Sequence, residues 1–378
     1  MADYAVFFNK KLDIDYKWRL LARLTYADTI TTDEMMQLLD GYDIEHSMLE
    51  YNLMLARFMK MQPSAPLPVK LKPRLQGVLR YFQYKNATQL TGFSVVGRAL
   101  NKADIPVMLI KGALMRRVMP ALPRVMGDVD FVVPYERYWD AVNVTRGLNF
   151  KQVHKFLLAH AADMYLGQYN VDIHRTIVKE GKFKSVLQDA SIVHEIDREM
   201  FERAHATTAF GVECLLPTDE DNVFVCLANS YDAIRSQEKA RWMWLWDIAG
   251  IVRDNKDFDW QKVLAIAYEL RFHQQIKVML EIFNATIPNV LPAGLIASIK
   301  TDEASDYSMK LDVMTCLIQS IKPDYRAIKF FKPRRPSKFI ADCKLIWRYK
   351  YLKSVRNNVF LRNKYMDDIV SGTLFQPY

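Results

Sequence analysis

Apolar residues recur at helical spacing through the first hundred residues of the chain. The pattern begins near Trp18 and Leu21 and returns twice before a proline-rich loop. Thr31 and the acids that follow it predict the start of a helix, because they cap its free N–H groups and suit its dipole. A long helix is expected from about residue 73 to residue 102. We therefore predict an N-terminal helical region over residues 1–103.

After Asp104 the pattern changes to short apolar runs and alternating positions. The predicted elements are a strand at 105–110, a helix at 113–119, a strand at 128–133, a helix at 134–147, a strand at 150–154, and a hairpin with arms at 161–168 and 171–177 around a Tyr169-Asn170 turn. Strands that alternate with helices and end in an antiparallel pair predict a small mixed sheet over residues 104–188.

Helical periodicity returns at about Asp189 and continues to roughly Ile287. We therefore predict a C-terminal helical region over residues 189–321, followed by a tail over residues 322–378. The predicted fold class is α/β (α+β), with a small mixed sheet flanked by N-terminal and C-terminal helical regions.

The composition is that of a globular protein. Half of the 378 residues are apolar and a quarter are charged, which argues against disorder over most of the chain. No apolar stretch is long enough to predict a transmembrane segment, and the N-terminus does not resemble a secretory signal. The four cysteines form no CxxC pair, so neither a disulfide framework nor a zinc site is expected. We therefore expect a cytoplasmic location.

The net charge of +9 is concentrated in the tail. Residues 322–364 contain 14 Lys and Arg against two acids, whereas the rest of the chain carries a net charge of −3. Aromatic residues are interleaved with these basic residues, as in segments that bind a nucleic-acid backbone or another polyanion. An anionic membrane surface, an acidic partner, or a solvated helix packed on the body are the alternatives.

Two carboxylates in one predicted strand carry the chemical signal. Asp128 and Asp130 lie two residues apart, so their side chains project from the same face. Such a pair favours a divalent cation, which removes the repulsion between them. A third acid, Asp172, lies between apolar residues in a later predicted strand, and three such carboxylates could hold two metals. The alternative is a solvated strand end.

The turn between the first predicted strand and its helix contains Lys111, Gly112 and Ala113. A glycine there lets a phosphate approach the backbone, and the helix N-terminus offers free N–H groups. Lys111 would add a positive charge, and Arg124 could pair with phosphate through its guanidinium. An ordinary turn and a surface arginine are the alternatives. We interpret His174 as lying on the face opposite to Asp172, where it would pack in the core or support a neighbouring ligand rather than act as a ligand itself.

Together these segments resemble the polymerase-beta-type nucleotidyltransferase superfamily, which has a Gly-Ser turn before an Asp-x-Asp strand and a third acid on a later strand. The chain resembles more narrowly the bacterial uncharacterised nucleotidyltransferase family. The resemblance is carried by Ile-Pro and Lys-Gly within 103–112, by Arg and Asp-Val-Asp within 124–133, and by Val-Asp-Ile-His at 171–174. It extends through Leu-Pro-Thr-Asp-Glu at 216–220 and covers roughly residues 15–290.

The resemblance implies transfer of a nucleoside monophosphate from an NTP to an acceptor, with release of pyrophosphate. It implies Mg²⁺ or Mn²⁺ as cofactor, bound by Asp128 and Asp130 with Asp172 completing the site. The residues that would hold the triphosphate are Lys111, Gly112, Ala113 and Arg124. The acceptor stays open and could be a small molecule, a peptide, a protein or an RNA.

One departure leaves two alternatives to catalysis. The serine of the superfamily's turn is Ala113 here, so a hydroxyl contact to the triphosphate is missing. The chain could therefore be a non-catalytic nucleotide-binding or regulatory module with the same fold. It could also be a nucleic-acid-associated or membrane-associated protein that acts through its basic tail.

Overall fold

The structure is a computed structural model that describes residues 4–5, 16–118, 124, 126–153, 161–178, 191–235, 243–302, 309 and 312. The basic tail lies outside these residues, so its contact with a polyanion or a membrane surface stays a prediction. None of the helices in the described ranges is both long and apolar enough to cross a membrane.

Helices form the first part of the described chain, as predicted. They are α1 (Tyr16–Thr25), α2 (Thr32–Leu39), α3 (Leu49–Met61) and α4 (Leu71–Lys102). A capping box starts α2: the backbone N–H of Glu34 donates to Thr31 Oγ1 at 3.2 Å, and the N–H of Thr31 donates to Glu34 Oε2 at 2.9 Å. These reciprocal bonds satisfy two N–H groups that the helix itself leaves without partners.

The described strands form one seven-stranded mixed sheet, with spatial order β3-β4-β5-β2-β1-β7-β6. The strands are β1 (Met108–Leu109), β2 (Val129–Val132), β3 (Lys151–Gln152), β4 (Ala161–Leu166), β5 (Tyr169–His174), β6 (His205–Ala209) and β7 (Val212–Leu216). Strand β2 is parallel to β5 and antiparallel to β1. The predicted fold class is confirmed.

More helices follow β1, and most of them lie in the C-terminal half of the described chain. They are α5 (Lys111–Val118), α6 (Tyr138–Gly147), α7 (Ser191–Glu202), α8 (Asp219–Arg235), α9 (Met243–Asp254), α10 (Trp260–Glu269), α11 (His273–Thr286) and α12 (Leu295–Ser298), with a 3₁₀ turn at Tyr135–Arg137. Helix α5 follows β1 directly, so its N-terminus lies beside β2.

The two faces of β2 contact different surroundings. Val129 and Phe131 point into one core, where the Phe131 ring lies 5.5 Å from the Phe93 ring of α4. Val132 packs instead in a second core that contains the N-terminal and C-terminal helices. Because side chains alternate along a strand, Asp130 lies on the same face as Val132. This second face carries the acidic residues described below.

The turn between β4 and β5 lies two residues earlier than predicted. Gly167 and Gln168 form the turn, and Leu166 pairs with Tyr169. Gly167 has a φ of +59°, which glycine adopts without steric cost at the first position of a two-residue hairpin turn. The prediction of a Tyr169-Asn170 turn was wrong, and the correct register pairs Asp163 with Asp172.

The hairpin β6–β7 interrupts the helical region and adds two strands to the sheet. Strand β7 pairs in parallel with β1, so Met108 lies opposite Leu215. The prediction of unbroken helical periodicity from residue 189 to residue 287 was wrong here. Phe210 and Gly211 form its turn with φ angles of +55° and +74°. A phenylalanine is a rare residue at such a position, so the sequence contained no ordinary turn signal.

Candidate active site

Carboxylates from three neighbouring strands form a row across one face of the sheet. Asp130 of β2 lies opposite Asp172 of β5, and Asp163 of β4 lies opposite Asp172 on its other side. Asp128 precedes β2 and lies two residues before Asp130, which places it on the same face. The structure therefore brings together the three acids that the sequence singled out, and it adds Asp163.

Two basic side chains contact one end of this row. Lys111 Nζ donates to Asp130 Oδ1 at 2.5 Å, and it lies 3.1 Å from His174 Nε2. His174 Nε2 is 2.9 Å from Asp130 Oδ1 and 3.2 Å from Asp172 Oδ2. Lys111 thus contacts the acids directly rather than projecting towards open space at the turn.

Burial and charge act in opposite directions on these four groups. Burial disfavours the ionised form of Asp130, but Lys111 and His174 hold its pKa well below its ordinary value. Burial also disfavours the ionised form of Asp172, but His174 outweighs this effect and lowers the pKa of Asp172 below its ordinary value. The pKa of Lys111 is raised despite burial, chiefly by Asp130. The pKa of His174 is raised by Asp172 and Asp130, against burial and the nearby Lys111.

The donor atoms form two groups that share one residue. Asp130, Asp172 and His174 offer ligand atoms within 4.8 Å of one another, and so do Asp128, Asp163 and Asp172. Asp172 Oδ1 is buried and has no hydrogen-bond partner within the described part of the chain. A buried carboxylate oxygen without a donor is costly unless a cation satisfies it. This donor set fits Mg²⁺ or Mn²⁺, which prefer carboxylate ligands.

The turn before α5 brings its residues close to a buried arginine. A Cβ on Gly112 would lie 2.9 Å from Nη1 of Arg124, so a side chain at this position would displace the guanidinium. Lys111 takes a left-handed backbone conformation with a φ of +53°. The side chain of Ala113 is fully buried in the core that contains Phe131.

Arg124 lies in a partly buried ion pair rather than fully exposed to solvent. Its Nε donates to Asp247 Oδ2 of α9 at 2.8 Å, and the side chain of Asp247 is 1% exposed. Desolvation lowers the pKa of Arg124, but Asp247 outweighs this effect and holds that pKa above its ordinary value. A second guanidinium, that of Arg57 in α3, is buried. Burial lowers the pKa of Arg57, and the negative charge of Asp247 opposes this shift.

Sequence reasoning missed Asp163 and misplaced His174. The placement of His174 on the face opposite to Asp172 was wrong, because residues two apart in a strand share a face and His174 contacts Asp172. The alternation of Ala162, Asp163 and Met164 was a usable signal, since it places the acid on the face away from the core. The misplaced turn hid the pairing of that acid with Asp172.

The fold and this acidic row define a class of mixed α/β protein with a row of carboxylates on one face of its sheet. The chain belongs to the family described as uncharacterised nucleotidyltransferase, whose profile matches residues 51–288. This match spans well over half of the chain and includes each acid of the row. The resemblance stated from the sequence is therefore confirmed, and membership supports nucleotidyl transfer as the class of activity.

Comparison with solved structures finds similarity to the antibiotic-resistance factor ANT(2'')-Ia. The two chains share 13% sequence identity over 53% of this chain and 92% of that chain, with a TM-score of 0.28. Comparison with curated proteins finds no match. Family membership is therefore the finding that defines the class of this protein.

Proposed function

We propose that the protein is a metal-dependent nucleotidyltransferase that moves a nucleoside monophosphate from an NTP to an acceptor and releases pyrophosphate. The observation that carries this proposal is the row of carboxylates on adjacent strands. One oxygen of Asp172 in this row is buried and has no hydrogen-bond partner in the described residues. Family membership supports the same class of reaction.

The acids of the row would hold the cofactor. Asp128, Asp130 and Asp172 are the proposed ligands of Mg²⁺ or Mn²⁺. When bound, a divalent cation activates the attacking oxygen and neutralises charge on the phosphates. The carboxylates fix the position of that charge, and their burial strengthens each interaction because the local dielectric constant is low.

The turn and the start of α5 would hold the triphosphate. Gly112 has no side chain, which lets Arg124 approach the turn closely, and the first N–H groups of α5 have no partners within the helix. Lys111 is near enough to both the acids and this helix start to pair with a phosphate oxygen. Ala113 would contribute its backbone alone, because its side chain is buried in the core. Arg124 would add positive charge beside Gly112 while its guanidinium remains paired with Asp247.

The proposed reaction exchanges the phosphoanhydride bond between the α- and β-phosphates of the NTP for a bond from the α-phosphorus to the acceptor oxygen. An acceptor oxygen, from a hydroxyl or a phosphate, forms a bond to the α-phosphorus of the NTP. The bond from that phosphorus to the bridging oxygen breaks, and its electron pair leaves with pyrophosphate. A proton from an acceptor hydroxyl passes to water or to a carboxylate of the row. The protein contributes positioning and charge neutralisation.

A specific contact also favours the second candidate, a non-catalytic nucleotide-binding module. Lys111 neutralises Asp130 inside the row, and the superfamily's turn serine is absent at Ala113. In such a module the acids would be structural, and nucleotide would bind without being cleaved. We favour catalysis over this alternative because the chain belongs to a family described as nucleotidyltransferase.

Label transfer from α-³²P-labelled ATP, CTP, GTP and UTP tests the proposal. Each NTP is incubated with the protein, Mg²⁺ or Mn²⁺, and separate small-molecule, protein and RNA fractions of a cell extract. We expect transfer of label to one fraction, with equimolar pyrophosphate, and a loss of at least about 100-fold in Asp128→Asn. Asp140→Asn, on the exposed side of α6, is the matched control.

The two candidates give different results in this assay. If no NTP labels any fraction while fluorescent ATP still binds in the presence of Mn²⁺, the protein is a binding module and the proposed reaction is wrong. If label is transferred equally by wild type and Asp128→Asn, the acidic row is not the site of the reaction.

A further inference from the structure

Arg57 is a buried cation that the proposed reaction does not use. It lies in α3, within the N-terminal helical region, and the residue is 1% exposed. Nε and Nη1 of its guanidinium make no hydrogen bond to any residue that the structure describes. A buried charge without such partners lowers the stability of a fold, and exceptions of this kind are expected at functional sites.

Asp247 is the carboxylate that acts on both Arg57 and Arg124. It pairs directly with Arg124, whose Nε lies 2.8 Å from Asp247 Oδ2. The second oxygen of Asp247, Oδ1, is buried and accepts no hydrogen bond from the described residues. The negative charge of Asp247 opposes the lowering of the Arg57 pKa by burial, whereas the positive charge of Arg124 adds to that lowering. Arg57, Asp247 and Arg124 thus form an arginine cluster in which two guanidiniums share one carboxylate.

Neighbouring titratable groups leave one positive charge in the arginine cluster. Burial raises the pKa of the Cys226 thiol to about 12, and it also raises the pKa of the Tyr26 hydroxyl, so both groups are neutral near neutral pH. The acid of the row that acts on Arg124 is Asp130, and Lys111 already pairs with it. With two guanidiniums and one carboxylate, the cluster therefore carries a net positive charge.

Arg124 brings this charge to the turn proposed to receive the triphosphate. A Cβ on Gly112 would lie 2.9 Å from Arg124 Nη1, so the guanidinium lies directly against the start of α5. If Arg57 were absent, Asp247 would cancel the charge of Arg124, and the neutral pair would attract a phosphate only weakly. With Arg57 present, the charge of Asp247 is offset and that of Arg124 remains available to an anion.

We propose that Arg57 is a positioning residue for the triphosphate: it offsets the charge of Asp247, so that Arg124 can attract a phosphate group. The inference rests on the proposed function, because it concerns the same nucleotide site. It gives the N-terminal helical region a role in nucleotide binding through charge rather than through contact. It also gives a reason for a guanidinium without hydrogen bonds in the core, since a bound triphosphate would compensate its charge.

Calorimetric titration of the full-length protein with ATP and with inorganic tripolyphosphate, at a fixed Mg²⁺ concentration, tests this inference. We expect Arg57→Met to bind both anions at least about 10-fold more weakly than the wild type, because a full charge is lost in a region of low dielectric constant. Arg57→Lys keeps the charge and should recover most of the lost affinity. Arg80→Met, at an exposed residue of α4, is the matched control and should bind as the wild type does, because solvent screens its charge.

A double variant separates a loss of charge from a change of shape. Arg57→Met combined with Asp247→Asn removes one charge of each sign, so the net charge of the arginine cluster returns to that of the wild type. We expect the double variant to bind both anions at least about threefold more tightly than Arg57→Met alone. Urea unfolding of each variant shows that it is folded, and Arg57→Gln replaces the methionine variant if that one does not fold.

Two results would overturn the inference. These are wild-type affinity for both anions in Arg57→Met, and no recovery of affinity in either Arg57→Lys or the double variant. A wild-type protein that binds neither ATP nor tripolyphosphate would contradict the proposed triphosphate site together with this inference. Anion affinities that follow the expected order without any label transfer would support the inference and contradict only the proposed reaction.

Discussion

Arg124 and Asp247 form a buried ion pair that joins the segment before β2 to helix α9. Arg124 Nε donates to Asp247 Oδ2 at 2.8 Å, across a sequence separation of 123 residues. The same guanidinium lies over Gly112, at the turn that leads into α5. The ion pair therefore links the C-terminal helices to the turn where the triphosphate is proposed to bind.

Removing the charge of Asp247 should destabilise the protein strongly. In Asp247→Asn the partly buried guanidinium of Arg124 loses its counter-ion, and breaking a buried pair in this way costs up to about 3–5 kcal/mol. Urea unfolding followed by fluorescence measures the change. Asp254→Asn, on an exposed part of the same helix, should change the free energy of unfolding by less than about 0.5 kcal/mol. Equal effects of the two substitutions would show that the pair does not stabilise the fold.

Removing the second buried guanidinium should have the opposite sign. Arg57 is 1% exposed, and its Nε and Nη1 have no hydrogen-bond partner in the described part of the chain. Arg57→Met removes a cation that burial disfavours and leaves the pair of Arg124 with Asp247 intact. We expect a stabilisation of about 1 kcal/mol or more, measured by urea unfolding. A loss of more than about 1 kcal/mol would mean that Arg57 contributes a net attraction to Asp247.

The sequence predicted those parts of the site that depend on local alternation. Asp128 and Asp130 lie two residues apart beside buried apolar residues, so the period of two in a strand put both on one face. The helices of the first hundred residues followed from apolar spacing in the same way. Both inferences need only a few neighbouring residues, which is why they were confirmed.

Features set by register or by distant contacts were not predictable. Asp163 joins the row only because Gly167 and Gln168 form the turn. If the turn is placed two residues later, Asp163 pairs with a residue other than Asp172. The pairing of Arg124 with Asp247 joins residues that no local pattern relates. The contact of Lys111 with Asp130 depends on the left-handed backbone at Lys111, which is uncommon outside glycine.

Stability should fall at acidic pH in part through a buried histidine far from the acidic row. His273 of α11 stacks on the Tyr268 ring at 4.4 Å, and burial lowers its pKa, with Asp302 acting against that effect. The unfolded chain takes up a proton at this histidine near pH 6.5, whereas the folded protein resists it until lower pH. The stabilising contribution is therefore present above about pH 6.5 and is lost as the pH falls towards the folded pKa.

A comparison of variants isolates this contribution. Between pH 7.0 and 5.5, the free energy of unfolding of the wild type should fall more steeply than that of His273→Asn, by up to about 1.4 kcal/mol for each pH unit. His46→Asn, at an exposed histidine, should follow the wild type. If His273→Asn and the wild type show the same pH dependence, the pKa of His273 is not lowered in the folded protein.

Helix α4 packs closely against the sheet because two of its three glycines, Gly92 and Gly97, face strand residues, and Gly92 provides a sharp test of this contact. A Cβ on Gly92 would lie 2.6 Å from Tyr169 Cβ, so Gly92→Ala must force helix and sheet apart. Overpacking of this kind typically costs about 1–3 kcal/mol, which exceeds the gain in helix propensity of about 1 kcal/mol. Gly77→Ala is the matched control in the same helix, since its Cβ would meet nothing within 4 Å. Thermal and urea unfolding should show that Gly77→Ala stabilises while Gly92→Ala destabilises, and stabilisation by both would mean that α4 does not approach β5 this closely.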